Sequence, residues 1–328
     1  MTLKNSKVFI TRKLPNIIEK RMNELFDVQF SENEKPINKS LLIERCEDVS
    51  VLVPTLGDIL DEEFFNKIGN NLKLIANYGA GYDNINVKEA QKKKIIVSNT
   101  PDVLTNDTAD VTIALILSIT RNLPQGIKKV KENKWLGWSP TEIMGNRIAG
   151  KKLGILGMGR IGQAVAKKAL CFDLKINYHN RNKLHILTER ELKATFWTNL
   201  NHMLREIDIL SIHIPHTPST FHLLNNTRLK LLKKNAFVIN TARGEVIDET
   251  SLTRMLQLGE ISGAGLDVHE NGHNINPRLK ELENVILLPH MSSSTEESRV
   301  EMGEKVIMNI KAFIDGHSPP DKIIPNNL

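Results

Sequence analysis

The feature that most constrains this chain is a glycine-rich turn between an apolar strand and a helix. The turn consists of Gly157, Met158, Gly159, Arg160, Ile161 and Gly162. It follows the run from Leu153 to Leu156, and an alanine-rich segment typical of a helix comes after it. A strand, a turn with this glycine spacing and a helix together indicate a dinucleotide-binding βαβ unit. A chance glycine-rich turn is the alternative, and the flanking patterns disfavour it.

Each glycine of this turn has a separate task in such a unit. Gly157 permits the tight turn, Gly159 lets the backbone approach a pyrophosphate, and Gly162 lets the helix pack closely on the sheet. The amino end of the helix adds N–H donors and the positive end of its dipole. The segment from 157 to 162 is therefore predicted to bind the cofactor.

The residues after the next strand bear on the choice between NAD and NADP. An NAD-selective site usually has an acidic residue about 20 positions beyond the glycine turn, where it binds the ribose hydroxyls. This chain has Asn180 and Arg181 there, followed closely by Lys183. A neutral amide and cations accept a 2′-phosphate that a carboxylate would repel. The sequence favours NADP over NAD; the alternative is that Arg181 and Lys183 are only solvated loop charges.

Short apolar runs alternate with helical patterns along the whole chain, which predicts βα units and parallel sheets. The first series of strands ends before Pro101, and a helix is expected from about Asp107 to Arg121. A second series begins at Leu153. Near the carboxyl end, Ser294 stands three residues ahead of Glu297, a spacing that predicts a capping box at the start of the last helix. That helix is expected to cover the first sheet, which makes the first domain discontinuous.

Composition and charge exclude several other classes of protein. The net charge of +6 comes from scattered lysines, so no nucleic-acid site is predicted. No apolar run is long enough to cross a membrane, and no signal-type segment follows Met1, so we expect a cytoplasmic protein. The two cysteines, Cys46 and Cys171, lack the paired spacing of a metal or redox site.

Three polar residues stand where later strands are predicted to end. They are Arg243, Asp267 and His290. Ligands of open α/β sheets bind at the carboxyl ends of the strands. Together with the glycine turn and the segment 77–84, these motifs resemble the D-2-hydroxyacid dehydrogenase family over nearly the whole chain. The amino-acid sequence around Thr100 and from 157 to 166 looks most like that of its glyoxylate/hydroxypyruvate reductase branch.

The resemblance implies an α/β fold with two doubly wound parallel-sheet domains. A flavodoxin-like substrate domain would comprise residues 1–102 and 289–328, and a Rossmann coenzyme domain residues 103–288, with the active cleft between them. It also implies a homodimer in which the loop of Trp135 lies near the partner subunit. The expected substrate is a small 2-oxo or 2-hydroxy acid.

Chemistry assigns roles to the two most reactive candidates. Arg243 provides a permanently charged donor fork for a carboxylate and a carbonyl oxygen. His290 titrates near neutrality and can donate a proton during reduction or accept one during oxidation. A surface salt bridge for Arg243 and a structural histidine at 290 are the alternatives.

As in the family, the backbone amides of Gly79, Ala80 and Gly81 are expected to bind the substrate carboxylate. Asp267 is expected to hold the nicotinamide carboxamide, and Thr108 to contact the cofactor.

One position departs from the family pattern. Members usually have a glutamate that hydrogen-bonds to the catalytic histidine, and this chain has Gly272 at that position. The nearest carboxylate, Glu270, is two residues early, a shift of roughly 7 Å in an extended loop. Without the carboxylate, His290 is expected to have a lower pKa, and the enzyme a lower, acid-shifted rate of reduction. The alternative is a catalytically impaired protein that senses dinucleotides.

Overall fold

A computed structural model describes residues 6–31 and 35–324 of the chain. It divides into two compact units, the first formed by Met1–Leu104 with Ser294–Leu328 and the second by Thr105–Ser293. Within the described residues, none of the helices combines the length and the apolar character needed to cross a bilayer. Cys46 and Cys171 are both free thiols, and burial raises the pKa of Cys46 to about 12.

The first unit is built on a five-stranded parallel sheet with the order β2-β1-β3-β4-β5. Its strands are β1 (Lys7–Ile10), β2 (Asp27–Phe30), β3 (Val51–Val53), β4 (Leu74–Ala76) and β5 (Ile96–Ser98). Its helices are α1 (Asn16–Leu25), α2 (Lys39–Arg45), α3 (Glu62–Lys67), α4 (Val87–Lys92) and α13 (Glu296–Ile314). This strand order is that of flavodoxin-like folds.

Successive side chains of the first sheet point to opposite faces and belong to two separate hydrophobic cores. Val8 and Ile10 pack with residues of α1 and α13, while Phe9 packs with residues of α2, α3 and α4 on the opposite face. A parallel sheet needs cover on both faces, and the helix α13 supplies part of that cover for the first sheet.

The second unit is built on a seven-stranded parallel sheet with the order β12-β11-β10-β9-β6-β7-β8. Its strands are β6 (Lys152–Leu156), β7 (Lys175–His179), β8 (Thr195–Phe196), β9 (Ile209–Ile212), β10 (Phe237–Asn240), β11 (Gly263–Leu266) and β12 (Val285–Leu287). Its helices are α5 (Thr105–Thr120), α6 (Leu123–Lys131), α7 (Arg160–Leu170), α8 (Ile186–Glu191), α9 (Leu200–Glu206), α10 (Asn226–Leu229), α11 (Glu249–Gln257) and α12 (Pro277–Lys280).

The order of the second sheet reverses at β6, which pairs with β7 on one side and β9 on the other. Such a switch point is where open α/β sheets bind ligands, and the glycine turn directly follows β6. The predicted α/β fold with two doubly wound parallel sheets, one flavodoxin-like and one Rossmann, is confirmed.

The predicted cap of the last helix was wrong by one residue. The helix α13 begins after Thr295, whose side chain accepts a hydrogen bond from Ser298 N, so Thr295 and not Ser294 is the N-cap. The hydroxyl of Ser294 instead accepts a hydrogen bond from Arg299 at 2.8 Å. Two short strands at or near sheet edges, β2 and β8, were not predicted, because neither has a run of strongly apolar residues.

Candidate coenzyme and catalytic site

Packing inside the protein explains two of the three glycines of the turn. Gly157 has φ +98°, and a Cβ there would lie 2.7 Å from the backbone carbonyl of His213. A Cβ on Gly162 would collide with the carbonyl oxygen of Gly157. The strand, turn and helix therefore approach each other as closely as backbone atoms allow.

Gly159 is different, because no contact among the described residues requires a glycine there. It is the N-cap of α7 with an ordinary extended backbone at φ −78°, and a Cβ would meet no atom within 4 Å. A side chain at this position would fill the space in front of the amino end of α7, where a pyrophosphate would bind. The open space at Gly159 therefore fits a dinucleotide.

Asn180 contacts the glycine turn directly. It follows β7, and its Oδ1 accepts a hydrogen bond from Met158 N at 2.6 Å. The side chain of Arg181 is exposed. Lys183, the second nearby cation, forms an ion pair with Glu189 at 3.2 Å. The structure thus brings Asn180 to the turn, while Lys183 is engaged away from it.

Arg243 lies in a turn that a buried asparagine shapes. Asn240 ends β10, and its Nδ2 donates to Arg243 O at 2.8 Å while its Oδ1 accepts from Ala242 N at 3.0 Å. Arg243 is half-buried, and its Nη1 donates to Ala242 O at 2.7 Å. A Cβ on Gly244 would overlap the backbone of His269, so the turn of Arg243 packs tightly on the segment after β11.

His290 follows β12 and has an unusual backbone conformation. Its φ of +57° lies in the left-handed region, and its N–H donates to Asp267 O at 2.8 Å. The carboxylate of Asp267 is fully buried and accepts hydrogen bonds from Met291 N at 2.7 Å and Ser292 N at 2.9 Å. Asp267 and His290 were predicted separately from the sequence. In the structure they lie at the ends of the adjacent strands β11 and β12 and are linked by these hydrogen bonds.

The carboxylate of Glu270 is directed to other partners. One oxygen lies 2.6 Å from His222 Nε2, and the other accepts from Glu249 N at 3.1 Å. Gly272 has φ +56°, with open space where a Cβ would be. His222 and His269 were not predicted as site residues. His269 lies two residues after Asp267, which is a weak sequence signal, whereas His222 is far from every candidate segment in the sequence.

The remaining predicted residues take part in hydrogen bonds within the protein. Thr108 is buried in α5, and its carbonyl accepts a hydrogen bond from Thr112, whose hydroxyl lies 2.9 Å from that of Thr241. In the first unit, Asn77 Nδ2 donates to Gly79 O and Gly81 O at 3.2 and 2.8 Å. Asn99 Nδ2 donates to the carbonyl of the intervening Ala80 at 2.7 Å.

A glycine turn at a sheet switch point and polar residues at nearby strand ends define a protein that binds a nicotinamide dinucleotide. Residues 113–292 match the family model described as D-isomer specific 2-hydroxyacid dehydrogenase, NAD binding domain. The chain belongs to the D-isomer-specific 2-hydroxyacid dehydrogenase family, as the sequence predicted. It is an NAD(P)-dependent oxidoreductase.

Individual relatives cover nearly the whole chain. A glyoxylate reductase of Pyrococcus horikoshii is 42% identical over 318 residues, which cover 96% of this chain and 94% of that protein. A crystal structure described as a putative D-isomer specific 2-hydroxyacid dehydrogenase of a Polaromonas species is similar with a TM-score of 0.91 and 34% identity, covering 97% and 99% of the two chains. An NADPH-dependent glyoxylate/hydroxypyruvate reductase of Sinorhizobium meliloti, in complex with NADP and malonate, has a TM-score of 0.87 and 32% identity, with 97% of both chains covered.

Proposed function

We propose that this protein is an NADP-preferring reductase of glyoxylate, hydroxypyruvate or a related small 2-oxo acid, which it converts to the D-hydroxy acid. The observation that carries the proposal is that Arg243 and His290 both lie at strand ends of a dinucleotide-binding sheet. The names of the similar reductases from Pyrococcus horikoshii and Sinorhizobium meliloti support the choice of substrate.

Arg243 is the proposed carboxylate and carbonyl ligand. Its guanidinium offers a planar fork of hydrogen-bond donors that suits a carboxylate. A donor held near the carbonyl oxygen stabilises the negative charge that develops there as the carbonyl is reduced. The two hydrogen bonds of Asn240 fix the backbone from which this side chain extends.

His290 is the proposed proton donor. As the carbonyl carbon is reduced, the oxygen must gain a proton, and a protonated imidazole can donate one. Desolvation lowers the pKa of His213, beside the glycine turn, to about 3, so its ring is neutral at any pH used for an assay. His213 therefore does not shape the pH dependence of the reaction.

The turn of Gly79, Ala80 and Gly81 is the proposed second ligand of the substrate carboxylate. The side-chain amides of Asn77 and Asn99 bind all three of its carbonyl oxygens. Each of these carbonyls shares a trans peptide with the N–H of the next residue, so the N–H groups of Ala80, Gly81 and Tyr82 point away from the asparagine amides. Backbone N–H groups presented together are suited to bind an anion.

The proposed cofactor residues are the glycine turn, Thr108, Asn180, Arg181 and Asp267. The bound nicotinamide dinucleotide supplies the hydride. Asn180 supports the preference for NADP, because a neutral amide at the end of β7 does not repel a 2′-phosphate and the exposed Arg181 attracts it.

The proposal includes a homodimer formed through an exposed arm, residues 123–147. No residue of α6, which begins the arm, is buried, and Leu136 is 97% and Trp138 85% exposed. Apolar patches of this kind mark protein interfaces. Leu136→Asp is expected to yield a monomer in light scattering, whereas the control Leu258→Asp, at an exposed leucine outside the arm, should leave a dimer. Two dimers, or two monomers, would contradict the arm as the interface.

The proposed location is the cytosol. The exposed thiol of Cys171 is in line with a reducing compartment, where such thiols stay unpaired. Cell fractionation with an antibody to the protein tests this, and recovery outside the cytosolic fraction would contradict it.

A spectrophotometric assay tests the activity. Oxidation of NADPH and of NADH is followed with glyoxylate, hydroxypyruvate and other 2-oxo acids between pH 5 and pH 9. We expect turnover with at least the two named acids and a higher kcat/KM with NADPH. Absence of turnover with every acid at every pH would favour the non-enzymatic dinucleotide sensor, for which Gly272 is the one supporting observation.

A further inference from the structure

We propose that His269 is a positioning residue that, with Asp267, holds His290 in its working orientation in place of a glutamate at position 272. The proposal rests on the proposed function, because it explains how an enzyme with Gly272 keeps its catalytic histidine in place. His269 does not touch the substrate in this proposal. It acts through the backbone that carries His290.

The first observation is that His290 needs external support. A non-glycine residue with φ +57° is strained, and such conformations persist only where the surroundings fix them. Backbone strain of this kind clusters at functional sites, where it directs a side chain that relaxed backbone would direct elsewhere. Loss of the support would let the backbone at His290 relax and its ring move.

The second observation is that the segment around His290 is fixed on both sides of that residue. After it, the buried carboxylate of Asp267 accepts the N–H groups of Met291 and Ser292. Before it, Leu288 N donates to Leu266 O at 2.8 Å, and Leu288 O lies 2.9 Å from His269 Nε2. The ring of His269 thus contacts the backbone two residues ahead of His290.

The third observation concerns the choice of residue at 269. His269 is only 8% exposed, and its Nδ1 is buried without a hydrogen-bond partner. A carbonyl oxygen accepts only, so Nε2 carries the proton and Nδ1 is a buried, unsatisfied acceptor. Burying such an atom destabilises the fold, and a phenylalanine would fill similar space without it. The hydrogen bond to Leu288 O is the gain that an imidazole offers over a hydrocarbon ring.

The backbone of His269 also ties this support to the second catalytic strand end. A Cβ on Gly244 would overlap the carbonyl of His269, so the residue next to Arg243 packs directly on it. One short segment, 267–269, therefore contacts the turn of Arg243 and the segment of His290. A disturbance at His269 is expected to affect orientation of the reacting groups more than cofactor binding at the glycine turn.

The test compares two substitutions of similar size. His269→Phe removes the donor to Leu288 O, and His269→Gln keeps an Nε2 that can donate. For His269→Phe we expect kcat to fall about 10- to 100-fold, as small misplacements of catalytic groups do. KM and the dissociation constant of NADPH should change less than about threefold, and Tm should change little, because the buried unsatisfied nitrogen is removed while Leu288 O loses its donor. His269→Gln should keep kcat within about threefold of the unsubstituted enzyme.

Equal kcat values in His269→Phe and the unsubstituted enzyme would overturn the proposal, and so would an equal loss in both variants. If His269→Phe does not fold, His269→Leu takes its place with the same expectations.

Amide hydrogen exchange of residues 288–292 gives a readout that needs no activity, since release of Leu288 O should speed exchange in His269→Phe alone. Unchanged exchange overturns the positioning role. Absence of turnover in the unsubstituted protein, with faster exchange in the variant, would reject the proposed function and leave the positioning role supported.

Discussion

Two strand ends of the same seven-stranded sheet are built in opposite ways. The turn after β6 is made of neighbouring residues and works through backbone N–H groups and the absence of side chains. In the proposed mechanism the segment after β12 works through the side chain of His290, and the carboxylate of Asp267, more than 20 positions earlier in the chain, binds the backbone just after it. Binding a pyrophosphate requires only a local backbone shape, whereas directing a proton requires a side chain supported by distant residues.

The same difference predicts which strand end should tolerate a departure from the family pattern. In the turn, Gly157 and Gly162 are fixed by contacts with backbone atoms that cannot give way. At the other strand end, several independent hydrogen bonds hold the segment, and we expect them to keep it in place without a carboxylate at Gly272. Substitutions at each strand end should therefore separate cofactor binding from chemistry.

The largest effect is expected from His290→Asn. The variant keeps a polar side chain and loses the proton donor, so kcat should fall about 10²- to 10⁴-fold. The dissociation constant of NADPH, measured by the fluorescence of the bound nicotinamide, should stay within about twofold. A variant that kept most of its activity would show that the proton comes from another group.

The next effect separates two glycines of the turn. Gly162→Ala places a Cβ against the carbonyl oxygen of Gly157 and should destabilise the fold by about 1–3 kcal/mol, with weaker NADPH binding. Gly159→Ala is the matched control, because its Cβ meets only open space. It should keep Tm nearly unchanged and still weaken NADPH binding. Equal changes in Tm for the two variants would contradict the different roles of these glycines.

A smaller effect is expected at Asn180. Asn180→Asp places a carboxylate where it can still accept from Met158 N but repels a 2′-phosphate, so the ratio of kcat/KM for NADPH over NADH should fall about tenfold. Arg181→Ala should lower only the NADPH value. An unchanged ratio in both variants would show that Asn180 and Arg181 do not select the cofactor.

The smallest effect is expected from Gly272→Glu. A carboxylate near His290 would raise the pKa of the imidazolium, so proton donation would persist to higher pH and turnover near neutral pH should rise a few-fold. Because φ is +56° at this position, any side chain costs about 1–2 kcal/mol of stability. Gly272→Ala carries the same strain without the carboxylate and is the proper reference. If the two variants have the same pH profile, the position has no influence on His290.

Much of the fold could be predicted from sequence because its signals are local. The apolar strands β1, β3, β6 and β10 have runs of apolar residues that remain buried on both faces. The edge strand β2 and the two-residue β8 were missed, because a partly exposed strand does not need such a run. Thr295 replaced Ser294 as the helix cap although only Ser294 has a glutamate three residues later, because the path of the backbone and not the capping-box spacing selects the hydroxyl that caps the helix.

The sequence by itself determined the class of fold, the family and the dinucleotide turn, since spacing between neighbouring residues encodes all three. Only the tertiary structure decided how Asp267, His269 and Leu288 meet around His290, and that Gly272 has a left-handed backbone. Those features depend on where β11 and β12 end relative to each other. Hydrogen bonds between residues about 20 positions apart leave no periodic pattern in a single sequence, so they become visible only when the sheet has formed.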